Sequence, residues 1–556
     1  MKKIIFIILT AIVAMNVQAQ TPRTSYFMDK YYNRHQRNPA LSPARGYVNI
    51  PVVGNFYVGL ESNLKLADFL YPVNTENGKK LGTFMHEDVS SKEFLKKIGR
   101  GGEMLNFDAN INLLGFGFYT KKNRFWSGEL NVRANGGLNI PKDFFAFFKE
   151  MDLSDGHEYN WKNLNGSARA YVEVAVGHSR DINENIRVGA KLKFLSGAGD
   201  ARFQVNDMSL YTSREAWRFR ADADVSVLGG MVNFKDSAGI VKDFEIADFE
   251  VANVLNFGGA LDLGVSYKLD DLLGTLIPIL PLKGFTASFG ITDLGFISYK
   301  KSSQAKFEKS IEYTGVRLEY DNDNEDGNND NNNNNNNTTE SGNTIKADID
   351  YLIDQFEDIM DNMRTVGDGG TVSRGLRTTT NVGLEYSFLK DKMSAGLLWS
   401  THFGLPKVYN EMTISYNLRP VRWFSLSLSS SFAHGFFRTA GWAMNFTPKY
   451  GLDLFIGMDY VPFAWTPPIG DNWPLPFGLP IHDLNVNVNF GVSVPLGGNR
   501  SAKYDGTKRE RRFAKYGDAN RRERRQIRRG NAEVPQPEPK PISGEAETPQ
   551  EVIDSF

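Results

Sequence analysis

Long stretches of the chain alternate apolar and polar side chains with a period of two, and this pattern limits the fold more than any other feature. Leu105 to Leu113 alternates without a slip. Trp126, Gly128, Leu130, Val132 and Ala134 interleave with Ser127, Glu129, Asn131, Arg133 and Asn135. Ala168 to Val176, Ile186 to Phe194, Trp217 to Val225 and Leu484 to Val494 repeat the pattern. A period of two places each set on one face of a strand. Many runs reach about ten residues, the length a tilted strand needs to cross a hydrocarbon layer. Strands of soluble proteins usually stop at about five or six. The polar face is often charged, as a wet lumen requires, and aromatic residues gather near strand ends, as at Phe118 and Tyr119 or Trp423 and Phe424.

The first residues bear on the compartment. Lys2 and Lys3 precede an apolar run from Ile4 to Ala14, and Val17-Gln18-Ala19 offers small residues at a cleavage site. The pattern predicts a secretory signal peptide over 1–19, with Gln20 as the first mature residue. The apolar run is shorter than the ~20 residues of a membrane-crossing helix. The later apolar stretch Leu272 to Leu282 is short and carries Pro278 and Pro281. Cysteine is absent, which excludes disulfides and a lipid-modified Cys anchor. A chain that enters a membrane without apolar helices must do so as a closed barrel. The formal net charge of −1 points to no nucleic-acid partner.

Candidate strands fall near 47–60, 105–118, 125–136, 166–178, 185–196, 201–210, 216–225, 256–268, 283–293, 375–389, 392–402, 409–418, 423–433, 439–447, 450–460 and 483–495. They predict an all-β fold, a transmembrane antiparallel β-barrel of about 16 strands over 47–495, with 14 as the alternative count. Placing the first strand's start in the periplasm puts the long connections 61–104, 137–165, 226–255, 294–374 and 461–482 on the outer side. The short turns then fall on the periplasmic side, as in outer-membrane barrels. The expectation is therefore an outer-membrane location, lipid as the surrounding partner, and both chain ends in the periplasm.

Residues 20–46 precede the first strand and hold Asn38-Pro39-Ala40 and Leu41-Ser42-Pro43. Proline removes donors and blocks helix, so the stretch should be irregular. The stretch reads either as a plain lead-in to the first strand or as a hatch folded into the lumen, where irregular backbone at membrane depth is tolerated. Thr24-Ser25-Tyr26-Phe27-Met28, Asn38 to Pro43, Arg45-Gly46-Tyr47 and the later Ile140-Pro141-Lys142-Asp143-Phe144-Phe145 resemble domain-of-unknown-function family 5723, a family of predicted outer-membrane barrels. The resemblance spans residues 24 to about 495. Asn38, Pro39 and Ala40 are also similar to the hatch motif of FadL-like fatty-acid transporters, whose relatives include type IX secretion scaffold barrels. That likeness implies 14 strands and lateral release of a hydrophobic ligand.

Glu129, Arg133, Arg187, Lys191, Lys193, Arg218, Arg220, Asp222 and Asp224 are the candidate lumen-facing residues, either as an ion-paired filling or as a solute path. Pro141 to Met151 reads as a short amphipathic helix opened by proline. Residues 321–345 are Asn- and Asp-rich; Asn322, Asn324, Asp326 and Gly327 fit the start of a calcium loop whose twelfth position is Asn333 instead of Glu. Ala347 to Asp361 reads as an acidic helix. The segment 496–556 is basic and then proline-rich, with Arg511, Arg512, Arg521, Arg522, Arg524, Arg525, Arg528 and Arg529. It reads either as a solvated tail or as a periplasmic arm toward a peptidoglycan-layer or other envelope partner. Histidines are scattered and no nucleophile elbow or phosphate loop is present, so no catalytic residue, cofactor or metal site is predicted. The functions that remain are a gated channel or transporter for a small or amphipathic solute, a non-transporting scaffold for envelope or secretion partners, and surface adhesion through the long loops.

Overall fold

The computed structural model describes residues 22–75, 78–86, 88–120, 123–150, 156–213, 216–229, 232–237, 240–246, 256–269, 284–300, 302–314, 364–368, 370–389, 391–404, 406–433, 436–437, 439–448, 451–462, 484–496 and 526–527. The expected signal peptide, the Asn-rich stretch with its calcium-loop residues, the acidic helix and the basic residues Arg511 to Arg525, Arg528 and Arg529 lie outside the described residues.

Fourteen antiparallel strands close into a barrel. In chain order they are β1 (Gly46–Asn49, resumed at Phe56–Ser62), β2 (Glu103–Tyr119), β3 (Phe125–Ile140), β4 (Asn165–Asp181), β5 (Ile186–Thr212), β6 (Asn256–Lys268) and β7 (Phe285–Tyr299). The wall continues with β8 (Thr378–Phe388), β9 (Met393–Phe403), β10 (Tyr409–Val421), β11 (Phe424–Ala433), β12 (Gly441–Phe446), β13 (Asp453–Met458) and β14 (Val486–Leu496). Each pairs with the next, and closure comes from β14 against β1, with Gly46 opposite Leu496 and Val58 opposite Val488. Closure leaves no unpaired edge in the wall.

The strand count of 16 thus falls to 14, because two predicted strands are one and a third leaves the wall. Candidates 185–196 and 201–210 form the single 27-residue β5. The two candidates leave 197–200 as a connection, but the chain stays extended through Gly197 and Gly199. At Gly197 a Cβ would sit 2.7 Å from the Tyr299 ring, so the glycine serves close packing. At about 3.3 Å per residue, the 27 residues of β5 extend well past the 17 residues of β4 beside it. Its first part pairs with β4 and β6. Beyond Asp200 it pairs with Ala216–Leu228, which in turn pairs with Ser302–Thr314. These strands form an outer sheet above the long-connection rim. The sheet packs Trp217, Phe219, Met208, Leu210 and Phe307 against Phe147 and Trp161. Phe147 comes from the helix Lys142–Glu150, which matches the predicted loop helix.

Within the wall, alternation becomes two faces. On β4, Tyr171, Glu173 and Ala175 are buried inward, while Val172, Val174 and Val176 are exposed outward. Leu114, Phe116, Leu192, Phe194, Trp399 and Ile414 continue the outer apolar face around the barrel. The strand ends that flank the short connections 120–124, 182–185, 389–392 and 447–452 all lie at the rim where Gly46 meets Leu496.

Candidate functional site

Residues 22–45 lie inside the barrel and are almost wholly buried. They form two short 3-10 turns, Arg23–Ser25 and Arg34–Gln36, joined by irregular backbone. The chain turns back on itself where the Ala44 N–H donates to the Asp29 carbonyl at 2.9 Å. Among the described residues, none of this segment joins the sheet.

Its first residues reach toward the long-connection rim. Arg23 Nε lies 2.9 Å from Glu411 Oε2, and its NH2 lies 2.6 Å from Glu61 Oε1. The Arg23 and Thr24 backbone N–H groups donate to the two Asp459 oxygens at 2.9 and 2.8 Å. The partners stand at the upper ends of β1, β10 and β13, so the segment starts deep in the lumen. Toward the other rim, Arg419 donates to Asp29 at 3.0 Å, and Arg45 pairs with Asp453. Between these stations Tyr31 stacks on Phe455 with ring centroids 3.9 Å apart. His35 and Tyr47 share a 2.6 Å hydrogen bond, and Gln36 donates to Glu129 at 3.0 Å.

Asn38, Pro39 and Ala40 form a turn pressed against the wall. The Ala40 N–H donates to Asn38 Oδ1 at 3.0 Å, closing an Asx-type turn. Asn38 Nδ2 donates to the Phe289 carbonyl and to the Tyr26 hydroxyl, each at 3.1 Å. The wall meets this turn with a row of three cross-strand partners: Gly189 on β5, Gly264 on β6 and Gly290 on β7. A Cβ at Gly189 would overlap the Pro39 carbonyl, and one at Gly264 would overlap Asn38 Oδ1. The turn therefore rests on bare backbone, which only glycine permits.

The predicted lumen residues divide. Glu129, Arg133, Lys191 and Lys193 are buried together on the inner face of β3 and β5. Lys191 Nζ lies 2.8 Å from Glu129. Arg133 binds Asp293 with two hydrogen bonds of 2.8 and 2.9 Å and Glu173 at 2.7 Å. Lys193 Nζ lies 2.6 Å from Asp293 and 2.8 Å from Asp262. All of these residues except Asp262, with Gln36 and Arg37, line a cavity of about 40 Å³, room for a few waters.

Arg187 sits at the short-turn rim instead, paired with Asp181 at 2.6 Å. Arg218, Arg220, Asp222 and Asp224 do not face the lumen, contrary to expectation. They lie on Ala216–Leu228 in the outer sheet, where Arg218, Arg220 and Asp224 are exposed and Asp222 is half-buried near Lys306. Alternation correctly gives these residues a polar face, but it does not say which sheet that face belongs to.

Asp293 and Asp262 went unremarked in the sequence. Asp262 sits in a recognised strand and its register would have found it. Asp293 lies at a bulge, where Asp262 stands between the Leu261–Leu294 and Leu263–Ile291 pairs and two residues oppose it. Asp293 takes φ +61°, which Asp tolerates better than most residues. The bulge turns its carboxylate onto Arg133 and Lys193. Arg23, Glu61, Glu411 and Asp459 were also missed, since their contacts span up to 436 residues of chain.

Residues 39–459 match the model described as Family of unknown function (DUF5723). No curated protein matches the chain. Among solved structures, the toluene transporter TbuX of Ralstonia pickettii is 8% identical, with 87% of this chain and 100% of that chain covered and a TM-score of 0.36. A FadL homologue of Pseudomonas aeruginosa is 8% identical over 86% of this chain and 98% of that one, with a TM-score of 0.34. The toluene transporter TodX of Pseudomonas putida is 8% identical over 86% and 96%, with a TM-score of 0.32. The barrel assignment rests on the strand pairing above.

Proposed function

The chain belongs to the Family of unknown function (DUF5723), and from that premise we propose that it is an outer-membrane channel for small amphipathic solutes, with residues 22–45 as its movable plug. The observation that carries this reading is a lumen filled by a segment that contributes no strand to the wall. Displacing such a segment breaks side-chain contacts and leaves the barrel's hydrogen-bonded ladder whole. Most of those contacts are polar, and water entering the lumen would satisfy them again. Moving the plug would also uncover Phe455 and Leu398, aromatic and aliphatic seats now covered by Tyr31 and by Tyr26 and Phe27. Apolar seats on an otherwise polar wall suit a solute with both characters.

Membrane residence is supported by the outward apolar face. A belt of this extent would be an aggregation hazard in water and is the expected surface in lipid. Val174→Arg places a charge on that belt at mid-strand and should cost about 2–4 kcal/mol in a bilayer. The measure is the fraction folded into vesicles, read by the heat-modifiable mobility of the folded barrel on a gel. Folding of the variant at the wild-type level would reject the membrane reading.

The channel reading is tested by single-channel conductance and vesicle uptake, with and without residues 20–45. The full chain should be closed or nearly so, and the deletion should conduct in steady steps. The filled lumen also suits a scaffold that never conducts. A deletion variant that folds but stays silent would favour that second reading over the channel.

A further inference from the structure

The outer face of β4 to β7 holds a groove of about 420 Å³ directly behind the glycine row. Two outward rows of cross-strand partners build it. One runs His178, Ala190, Leu263, and the other runs Arg180, Val188, Val265, Phe289. Ala190 is short between the longer His178 and Leu263, so the surface dips there. Leu263 and Phe289 are exposed apolar walls. The lining is overwhelmingly apolar, and its charged member is the exposed Arg180, near the short-turn rim. Among the described residues, no carboxylate lines the groove. The neighbouring Asp181 is engaged by Arg187 at 2.6 Å and by Asn123 at 2.7 Å.

We propose that this groove is a binding site for one membrane phospholipid, with an acyl chain lying over Ala190 and the phosphate held by Arg180. The proposal rests on the membrane placement above and goes beyond the channel reading, because it concerns the outside of the wall. An apolar trough ending in a cation at the level of polar turns matches an anionic headgroup above a hydrocarbon tail. Arginine suits phosphate because its planar fork can donate two parallel hydrogen bonds. A lipid seated there would brace the wall where it is one backbone thick behind Asn38 and Pro39.

The test folds the full chain into vesicles of phosphatidylethanolamine and phosphatidylglycerol, extracts it in detergent, and counts retained lipids by native mass spectrometry. The wild type should keep one phospholipid through washes that strip the rest. Ala190→Phe, or the gentler Ala190→Leu, fills the groove on a lipid-facing position and should keep none. Arg180→Gln should lose the phospholipid about tenfold faster, as removal of a charged hydrogen-bond donor predicts. Vesicle folding is scored first, so a failure of membrane residence is seen separately from a failure of the site. Equal retention by folded wild type and both Ala190 variants would overturn the site. Diacylglycerol held as tightly as phospholipid by the wild type would overturn the phosphate contact.

Discussion

Replacing Arg133 by Ala is expected to lower the barrel's stability by about 3–5 kcal/mol, the usual cost of leaving buried partner charges uncompensated. Arg133 and Lys193 are the two cations that Glu173, Asp262 and Asp293 share, through contacts of 2.6 to 3.7 Å. Without the guanidinium, three buried carboxylates face one ammonium, beside a cavity that admits only a few waters. Asp293→Ala alone should be milder, since Lys193 keeps Asp262 and Arg133 keeps Glu173. The sharper expectation concerns the pair. Removing Asp293 together with Arg133 takes away one charge of each sign, so the double variant should recover part of the Arg133→Ala loss. Groups in one network couple by roughly 0.5–3 kcal/mol. Urea unfolding from vesicles, followed by tryptophan fluorescence and gel mobility, measures all four corners of the cycle. Strict additivity, or an Arg133→Ala barrel as stable as wild type, would mean the lumen water-solvates these charges and the network contributes little.

Much of the wall was legible because its determinant is local. Strands such as β2, β3, β4 and β14 announce themselves by alternation, and each residue's face follows from its parity. The same rule failed where something other than parity sets the backbone. Residues 197–200 read as a break, yet Gly197 is there because the Tyr299 ring packs above it, a contact from a strand about a hundred residues later. Ala216–Leu228 alternates as cleanly as any wall strand, but its partner is the overhang of β5 and not the lumen. Asp293 acts through a bulge, which shifts parity by one residue. Residues 22–45 show the same division. Their prolines predict irregular backbone, and among the described residues this stretch contributes no strand. Their partners could not be read, because Arg23 meets Glu61, Glu411 and Asp459 only once the barrel has closed.

Gly264→Val is expected to turn a closed barrel into a leaky one without unfolding it. Gly264 carries the Asn38 side chain against its bare backbone, so any Cβ there must displace either the turn or the strand. The strand is the stiffer of the two. It is paired on both sides, with Gly189 opposite on β5 and Gly290 opposite on β7. The turn is held by hydrogen bonds to the Phe289 carbonyl and the Tyr26 hydroxyl and by a contact from Asn381 to the Arg37 carbonyl. Overpacking such a contact costs roughly 1–3 kcal/mol, which raises the population of a displaced plug by about 5- to 150-fold. Gly259→Val on the same strand is the control, because the nearest atom to its Cβ is 3.7 Å away. Vesicle uptake and single-channel steps should rise for Gly264→Val and stay at wild-type level for Gly259→Val. Protease added from the short-turn side should cut within residues 22–45 faster in the first variant. If Gly264→Val conducts no better than the control while its plug becomes protease-sensitive, the plug is not what closes the barrel. If the plug also stays protected, the strand has yielded instead, and the turn is a fixed part of the wall.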